Sequence, residues 1–256
     1  MMSKRIKIEF VIPVYNEELQ LEGNVLRLYN YLTSQHFSVN WVWRIVIADN
    51  GSTDLTGKIG SAIARRNESV LYLMIPEKGR GLAISRSWVL SDADIVFYMD
   101  LDLSTELAAI PKAIDRIVKN GCDLVIGSRL LCGSVVERSV LREVLSRSYN
   151  FYAKLILRVA VSDLQCGFKA MRRDSFLKIQ PNLSDRSWFF DTQLIFFAQT
   201  SGLMIFEIPV TWVEDPDSRV KVVRTVIEML LKVPQLKWRS FRKKNKNPGL
   251  LHSNLS

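Results

Sequence analysis

Short apolar segments alternate with segments of helical periodicity along the first half of the chain. The apolar segments are residues 7–14, 42–48, 70–75, 95–99 and 123–126, and a helical pattern separates each from the next. Strands that alternate with helices form a mostly parallel sheet, because a parallel connection is long enough to hold a helix. The alternation therefore predicts a doubly wound α/β sheet with helices on both faces, within one domain over residues 1–218.

The charge of the chain is concentrated near its C-terminus. Residues 219–246 hold ten basic residues and one acidic residue, so this window alone accounts for the formal net charge of +9. The rest of the chain is balanced. A hydrophobic content of 48% over 256 residues excludes wholesale disorder and supports a sizeable core. The composition predicts a neutral folded body followed by a cationic segment.

Three features of the sequence bear on the compartment. The N-terminus leads directly into a strand, so we expect no signal peptide. No uninterrupted apolar run reaches the roughly 18 residues of a membrane span. The three cysteines are odd in number and lack zinc-site spacing, which favours a reducing environment. We therefore expect a cytoplasmic protein.

Two aspartates one residue apart, Asp100 and Asp102, follow the fourth apolar segment. In open α/β sheets, ligands bind just beyond the carboxyl ends of the strands, where these two carboxylates would emerge. Hard oxygen ligands on a short turn suit Mg²⁺ or Mn²⁺, which would bridge the phosphates of a nucleotide. The alternative is that Asp102 only caps a helix that begins near Ser104.

Six short motifs occur in the order found in family 2 glycosyltransferases. They are residues 11–17 (VIPVYNE), 49–54 (DNGSTD), 78–81 (KGRG), 100–102 (DLD), 127–129 (GSR) and 163–169 (DLQCGFK). Over residues 6–225 the chain resembles the polyprenyl-phosphate sugar synthases of that family, the dolichyl-phosphate glucose and mannose synthases. Residues 165–169 and 186–191 resemble the glucose-type branch more closely. The resemblance implies a GT-A-like fold, a nucleotide-sugar donor and a divalent cation, Mg²⁺ or Mn²⁺.

The resemblance also implies a set of site residues. Those expected to bind the nucleotide sugar are Pro13, Tyr15, Glu17, Asp49, Lys78 and Arg80. Those expected to act in catalysis are Asp100, Asp102, Arg129 and Asp191, with Asp100 and Asp102 as the metal ligands. From the residues alone, Asp49 could instead cap a helix, and Glu17 could place its charge in a first helical turn.

Three positions depart from the usual pattern of the family. Glu77 stands where the family usually has asparagine, Arg80 where it has lysine, and Gln193 where it has an acid. For that reason Gln193 is not among the expected catalytic residues. The aromatic side chains of Phe168 and Trp188 are expected to offer stacking faces for the sugar.

Basic residues between and after these motifs are candidates for holding an anionic acceptor. The candidates are Arg138, Arg142, Arg147, Ser218 and Arg219. The second pKa of a phosphate monoester is about 6, so a lipid phosphate is already an anionic nucleophile at pH 7 and needs cations rather than a base. The alternative is a solvated helix face on which the arginines pair with Glu137 and Glu143.

The C-terminal segment, residues 219–246, combines helical periodicity with its basic residues. Val223, Val226, Ile227, Leu230 and Leu231 have the spacing of an amphipathic helix. We expect Pro234 to end this helix and the aromatic residues Trp238 and Phe241 to alternate with basic ones beyond it. Such a segment can lie in the interface of an anionic bilayer. Residues 247–256 are expected to form a disordered tail.

The C-terminal segment could have partners other than a bilayer. Residues 223–231 could dock against the sheet and leave only the tail for lipid, or the basic run could bind a membrane-spanning partner protein. Nucleic acid is not expected as a partner, because no basic aromatic platform accompanies the charge.

Together these features predict an enzyme that transfers a hexose, with inversion, from a nucleotide sugar resembling UDP-glucose to a polyprenyl or dolichyl phosphate. It would work as a peripheral protein on the cytoplasmic face of a membrane. Three alternatives remain at this point. They are a family 2 transferase acting on a glycan hydroxyl, a mannose synthase that uses GDP-mannose, and a non-catalytic nucleotide-binding scaffold.

Overall fold

A computed structural model describes residues 5–34, 41–214 and 222–246, with side chains as far as residue 242. Seven strands form the main sheet: β1 (Ile6–Val14), β2 (Trp41–Asn50), β3 (Val70–Ile75), β4 (Ile95–Met99), β5 (Leu124–Ser128), β7 (Phe168–Arg172) and β8 (Ile205–Pro209). Two short strands, β6 (Val135–Glu137) and β9 (Thr211–Val213), pair in a second sheet. The residues predicted to form the disordered tail, 247–256, lie outside the described part of the chain.

The main sheet is mostly parallel, as predicted. Its strand order is β3-β2-β1-β4-β7-β5-β8, and β7 alone among these seven runs antiparallel to its neighbours. The order reverses direction between β1 and β4, because the chain passes from β1 outward to β3 and then returns to the other side of β1. In open α/β sheets the crevice at such a switch point is the usual ligand site.

Helices cover both faces of the sheet. They are α1 (Leu21–Thr33), α2 (Thr56–Arg66), α3 (Arg80–Leu90), α4 (Ala109–Asn120), α5 (Val140–Leu157), α6 (Arg173–Ile179), α7 (Phe190–Thr200) and α8 (Val222–Lys246). Buried residues of α1, α2 and α4 pack on one face, and those of α3, α5, α6, α7 and α8 on the other. The alternation of side chains along β1 supplies both layers, with Phe10 and Ile12 on the first face and Val11 on the second.

The turn after β1 differs from the prediction that a helix begins at residues 16–18. Asn16 is in the left-handed region with φ of 57°, and α1 begins only at Leu21. The reason is tertiary: the Asn16 N–H donates to Ser52 Oγ at 2.9 Å, and Asn16 Oδ1 accepts from the Thr53 N–H at 2.8 Å. These bonds tie the turn to the loop after β2 in a conformation that a helix does not allow.

Asp102 does not cap a helix, so that alternative is wrong. Its Oδ1 accepts from the Ser104 N–H at 3.0 Å in a local turn, and α4 begins only at Ala109. Between them, Thr105 makes an antiparallel bridge to Trp212, next to the second sheet. The segment after β4 therefore turns at residues 101–103, where Leu103 has a φ of 50°, and is then held beside the strand end by the bridge at Thr105.

The prediction that Pro234 ends the C-terminal helix is also wrong, because α8 continues through it to Lys246. A proline inside a helix costs about 3 kcal/mol or more. On either side of Pro234, α8 buries Val226, Met229, Val233 and Leu236 in the core. Each such side chain contributes about 1.5–3 kcal/mol on burial, so packing outweighs the cost of the proline. No helix in the described part of the chain combines the length and apolar character of a membrane span.

Candidate functional site

Polar side chains collect where the parallel strands end at the switch point. β2 ends with Asp49 and Asn50, and Asp100 directly follows β4. Parallel strands end at the same edge of a sheet, so the predicted site residues of different motifs meet here. The loops after β1, β2, β3 and β4 border this crevice.

Asp49 is buried, and its carboxylate is held in place by two donors. Oδ2 accepts from the Tyr72 hydroxyl at 2.8 Å, and Oδ1 accepts from the Ser52 N–H at 2.9 Å. Burial and the Asp49 charge raise the pKa of Tyr72 well above its usual value, so the phenol stays a donor. Asp49 does not cap α2, because Asp54 Oδ1 accepts from the Thr56 N–H at 2.9 Å. The carboxylate is thus oriented for a role other than capping.

Asn50 joins three loops at the crevice. Its Nδ2 donates to the Val14 carbonyl at 2.6 Å, and its Oδ1 accepts from the Gly79 N–H at 3.0 Å. Gly79 has to be glycine, because a Cβ there would lie 2.4 Å from the Arg186 carbonyl oxygen. The amide of Asn50 therefore fixes the positions of the β1 end and of the loop after β3.

The other residues predicted to bind the nucleotide lie around these loops. Lys78 Nζ lies 3.6 Å from the ring centroid of Tyr15, a cation–π contact. Pro13 is half-buried near the end of β1, in register with Ala48 of β2. The Glu17 N–H donates to Thr56 Oγ1 at 2.7 Å, so this residue precedes α1 instead of charging its first turn.

Arg80, the first residue of α3, bridges two carboxylates. Its Nη2 and Nε donate to Asp100 Oδ1 at 2.6 and 3.0 Å, and its Nη1 donates to Asp191 Oδ2 at 2.8 Å. The guanidinium carbon also lies 4.8 Å from the Trp188 ring centroid. Burial opposes the charged form, but Asp100 and Asp191 together raise the pKa of Arg80 well above its usual value. Arg80 links the strand end to α7.

Asp191 lies behind Arg80 in a buried charged network. The carboxylate is 1% exposed; its Oδ1 pairs with Lys169 Nζ at 2.8 Å and accepts a short hydrogen bond from the Tyr98 hydroxyl. Lys169 Nζ also donates to the Cys166 carbonyl at 2.7 Å. Burial alone would raise the pKa of Asp191, but Lys169 and Arg80 lower it below its usual value. Asp191 is therefore an ionised carboxylate that positions Arg80 from the inside.

Asp100 and Asp102 line a small cleft whose other walls are Met99, Leu103, Ser104, Thr105, Gly167 and Trp212. Position 167 has to be glycine, because a Cβ there would lie 1.7 Å from Asp100 Oδ2. The missing side chain lets the Asp100 carboxylate occupy the space that a Cβ would fill. Arg80 donates to the other oxygen of the same carboxylate.

This donor set fits a hard divalent cation. Two carboxylates on a short turn are ligands of the kind that Mg²⁺ and Mn²⁺ prefer. Within the described residues, no group of three or more His, Cys, Asp or Glu side chains is placed to hold a metal ion. The protein can therefore supply two carboxylates here, and a cation bound to them would take further oxygen ligands from water or a substrate.

Arg129 is held by Asp163 at the end of β5. Its Nε donates to Asp163 Oδ2 at 2.7 Å and its Nη2 to Oδ1 at 2.9 Å, and the guanidinium carbon lies 5.5 Å from the Trp212 ring centroid. Although burial alone would raise the pKa of Asp163, Arg129 lowers it far below its usual value. This pair joins the end of β5 to the segment between α5 and β7, which leads to Gly167 beside the cleft.

The three described arginines predicted to hold the acceptor phosphate lie at or near the N-terminal end of α5. Arg138 and Arg147 both pair with Glu143, and Arg142 Nε pairs with Glu214 at 2.8 Å. Of the alternative, pairing with Glu137 and Glu143, the part that involves Glu143 is present, and the second carboxylate is Glu214 in place of Glu137. The two remaining candidates, Ser218 and Arg219, lie outside the described residues.

The expected stacking role of Phe168 is wrong. Its side chain is fully buried in the core and packs edge-on against Phe97, with ring centroids 4.8 Å apart. Trp188 is half-buried against Arg80, and Trp212 lines the cleft. Gln193 Oε1 accepts from two backbone N–H groups of the loop before α7, so this amide orders that loop.

Four residues of this arrangement were not among the expected site residues: Asn50, Tyr98, Lys169 and Trp212. Lys169 carries the clearest sequence signal, because a lysine inside an otherwise apolar strand is costly unless a carboxylate pairs with it. Asn50 has the weaker signal of an amide at a strand end. Tyr98 and Trp212 look like ordinary core residues until the strands are assembled.

Comparison with known proteins gives relatives that are similar to this chain over most of its length. Glycosyltransferase AglD of Haloferax volcanii is 30% identical over 234 residues, which are 91% of this chain and 37% of that protein. Dolichyl-phosphate β-glucosyltransferases of Dictyostelium discoideum and Saccharomyces cerevisiae are each 27% identical. These alignments cover 91% and 89% of this chain, and 75% and 73% of the relatives. The chain thus spans little more than a third of AglD but most of the glucosyltransferases.

A solved structure shares the fold. Glucosyl-3-phosphoglycerate synthase of Mycobacterium tuberculosis, in complex with Mn²⁺, UDP and glucosyl-3-phosphoglycerate, superposes with a TM-score of 0.65 at 20% identity. The match covers 90% of this chain and 80% of the synthase. The family model described as glycosyl transferase family 2 matches residues 9–180. With the sheet, the switch-point crevice and the strand-end aspartates in place, the chain belongs to family 2 of the glycosyltransferases.

Proposed function

We propose that the protein transfers a hexose from a nucleotide sugar, of the UDP-glucose type, to a polyprenyl or dolichyl phosphate, with inversion at the anomeric carbon. The names of the dolichyl-phosphate β-glucosyltransferases among its relatives support this class of substrate. The main observation in favour of a phosphate acceptor is that Asp191, the carboxylate behind the cleft, is buried and paired with two cations.

An acceptor hydroxyl would need a carboxylate base to remove its proton. Asp191 is a poor base, because it is buried, paired with Arg80 and Lys169, and has a lowered pKa. Gln193 stands where the family pattern has an acid, and its amide cannot take a proton. Both features support an acceptor that arrives already ionised, as a phosphate monoester does near pH 7.

For the donor, we propose that the loops after β1, β2 and β3 bind the nucleotide. Asp49 is oriented by Tyr72 so that it can accept from a base or ribose group, and Lys78 offers a cation for a phosphate. Tyr15 lies beside Lys78 at the end of β1. The glucose-type resemblance of residues 165–169 and 186–191 supports uridine as the base.

For the cation, we propose that Asp100 and Asp102 hold Mg²⁺ or Mn²⁺ together with the diphosphate of the donor. When bound there, such an ion neutralises the leaving diphosphate as a Lewis acid. Glycine at position 167 supports this placement only in that it lets the Asp100 carboxylate lie against the backbone at the wall of the cleft. Arg80 already donates to the other oxygen of Asp100, so its guanidinium is a second positive charge near the leaving group.

In the transfer step, an acceptor phosphate oxygen attacks the anomeric carbon from the face opposite the leaving diphosphate. The new carbon–oxygen bond forms as the bond to the nucleoside diphosphate breaks, and no proton needs to move. The chain's own contribution is to hold two anions, the donor diphosphate and the acceptor phosphate. Asp163 holds Arg129 within electrostatic reach of Asp100, near the diphosphate. The α5 arginines are candidates for binding the acceptor phosphate. We place the reaction at the cytoplasmic face of a membrane, with residues 1–218 as the catalytic domain.

A panel of donors and acceptors tests the proposed reaction. We expect label from UDP-glucose to pass to a polyprenyl phosphate and not to the free polyprenol or to an oligosaccharide. With no base to titrate, the rate should rise as the pH passes through about 6, where the acceptor phosphate ionises fully, and then stay level. Radiolabelled donor and extraction of the lipid product provide the measurement.

Transfer to the polyprenol or the oligosaccharide at a comparable rate would show that the acceptor is a hydroxyl. Asp115→Asn is a control for the removal of a carboxylate that has no part in the reaction. In the contacts described, Asp115 pairs only with Lys119 on the surface of α4. The control should follow the pH profile of the unaltered protein.

Nucleotide preference is a separate prediction. We expect calorimetry in the presence of Mn²⁺ to show tighter binding of UDP than of GDP. Asp49→Asn should weaken the binding of UDP, because the amide replaces one of the acceptor oxygens that Tyr72 and Ser52 orient. Tighter binding of GDP would instead indicate a mannose-type synthase, and equal binding of both would leave base recognition outside this loop.

A further inference from the structure

The outer face of α5 carries exposed apolar residues near both of its ends, with the exposed Arg147 and Ser148 between them. Val140, Val144, Phe151 and Leu155 are all exposed, from 55% to 79%. With 3.6 residues per turn, these four positions fall within a stripe about 60° wide on one side of the helix. The opposite side is the one that buries Tyr149, Ala153 and Leu157. A second apolar stripe, facing away from the core, is not needed for folding.

Helix α8 has the same two-sided character. Its buried side carries Val226, Met229, Val233 and Leu236, and its outer side carries Val223, Ile227, Leu231, Trp238 and Phe241. A helix on the surface of a globular protein usually has a single apolar stripe toward the core and a polar outer face. The packing of α8 on the core therefore explains only one of its two stripes.

The two stripes belong to one surface. α5 and α8 pack against each other, and both bury their inner sides in the cluster on the same face of the sheet. Their outer sides therefore point away from the sheet together. We name the nine exposed residues the α5–α8 surface: Val140, Val144, Phe151, Leu155, Val223, Ile227, Leu231, Trp238 and Phe241. Apolar patches of this extent on a protein surface mark interaction sites.

The charges around the α5–α8 surface are mainly positive. Exposed basic side chains border it: Arg147 on α5, which is paired with Glu143, Arg158 directly after α5, and Arg224, Arg239 and Arg242 on α8. The exposed acid of α8, Glu228, is paired with Arg224 at 2.9 Å. Arg242 stacks on Trp238, with its guanidinium carbon 4.0 Å from the ring centroid. An apolar stripe with a basic border and an aromatic residue beneath a cation matches the interface of an anionic bilayer.

We propose that the α5–α8 surface docks on an anionic lipid bilayer, so that α5 and not only the basic C-terminal segment contacts the membrane. This places Arg147 of α5, whose side chain is 63% exposed, at the level of the lipid phosphates. The inference rests on the proposed function only in that the acceptor is taken to be a membrane lipid. Charge complementarity selects a lipid surface over a second copy of this chain, which would bring like charges together.

Vesicle sedimentation tests the docking surface. We expect the full chain to bind vesicles with roughly one third phosphatidylglycerol in phosphatidylcholine and to bind pure phosphatidylcholine more weakly. Two double variants remove apolar contacts from one helix each, Phe151→Ser with Leu155→Ser on α5 and Ile227→Ser with Leu231→Ser on α8. Each should lower the partition coefficient at least about tenfold, because burying one large apolar side chain is worth about that factor.

The matched control replaces two apolar residues that are equally exposed elsewhere, Leu90→Ser with Met204→Ser. This variant should bind vesicles as the unaltered chain does. All the altered side chains are exposed, so the thermal unfolding midpoints should stay close to that of the unaltered protein. The variants should also keep transfer to a short polyprenyl phosphate dissolved in detergent.

The outcomes separate this inference from the proposed function. Vesicle binding that the α5 variant leaves unchanged would overturn the role of α5. Absence of vesicle binding would overturn the docking of this surface on a bilayer. In that case the surface would be covered by a second copy of the chain, in a dimer that the variants disrupt, or by a membrane-spanning partner. Vesicle binding lost in both variants, without any transfer to lipid phosphate by the unaltered chain, would support the docking surface and overturn the function.

Discussion

Replacing Asp100 or Asp102 by asparagine is expected to lower the rate of transfer by about two to three orders of magnitude, the usual cost of losing one preorganised charge stabiliser. Asparagine has nearly the same shape, and Asp100 lies at the open end of β4 with its side chain 36% exposed. The fold should therefore survive. The measurements are kcat with Mn²⁺ and the thermal unfolding midpoint of each variant.

A readout independent of activity separates metal binding from other effects of the carboxylates. In the presence of UDP, calorimetry should detect Mn²⁺ binding to the unaltered chain and a large loss of affinity in both variants. Asp92→Asn is the control, because Asp92 is an exposed carboxylate paired with Lys7 at the other end of the sheet. Transfer that persists in EDTA, or unchanged Mn²⁺ binding by the variants, would contradict the metal assignment.

The fold of the first five strands can be predicted closely because it depends on local patterns. Each strand boundary expected from the apolar runs lies within two residues of the observed one. What local patterns cannot show is the pairing of distant segments. β7 inserts antiparallel between β4 and β5, and this contact joins Tyr98 to Lys169 across a long stretch of chain. The same limit explains α8, where packing on the core keeps Pro234 inside a helix.

Local patterns predict some residues of the candidate site but not the partners of those residues. Asp49 and Asp100 can be expected at one edge of the sheet, because each directly ends or follows a parallel strand. Their partners cannot be expected in the same way. Arg80 looks like a loop cation for a phosphate, yet it bridges Asp100 and Asp191, and Asp191 is far along the chain. Buried ion pairs leave only an indirect trace in sequence, a charge such as Lys169 among apolar neighbours.

The buried pair of Arg129 and Asp163 gives the largest expected effect on stability. Arg129→Met should lower the free energy of unfolding by about 3–5 kcal/mol, because it leaves Asp163 buried without its cation. The matched control is Arg66→Met, whose exposed pair with Glu22, at 3.6 Å, should contribute no more than about 1 kcal/mol. Denaturant unfolding at pH 7 measures both variants. An equal, small loss in the two would contradict a structural role for Arg129.

The pH dependence of the same variant gives a stricter test. In the unaltered chain Arg129 holds the pKa of Asp163 far below its usual value. That stabilisation is fully present above the unfolded pKa of about 3.9 and is lost only as the pH falls through the lower folded value. In Arg129→Met, burial should instead raise the pKa of Asp163, so that protonation relieves the buried charge. The stability difference between the two proteins should therefore begin to shrink above about pH 4, as the pH falls through the raised pKa of Asp163 in the variant. It should shrink further below about pH 4, where the unaltered chain loses the stabilisation of its lowered pKa. A difference that stays constant from pH 7 to acid would show that the lost stability comes from packing around the arginine stem and not from the charge of Asp163.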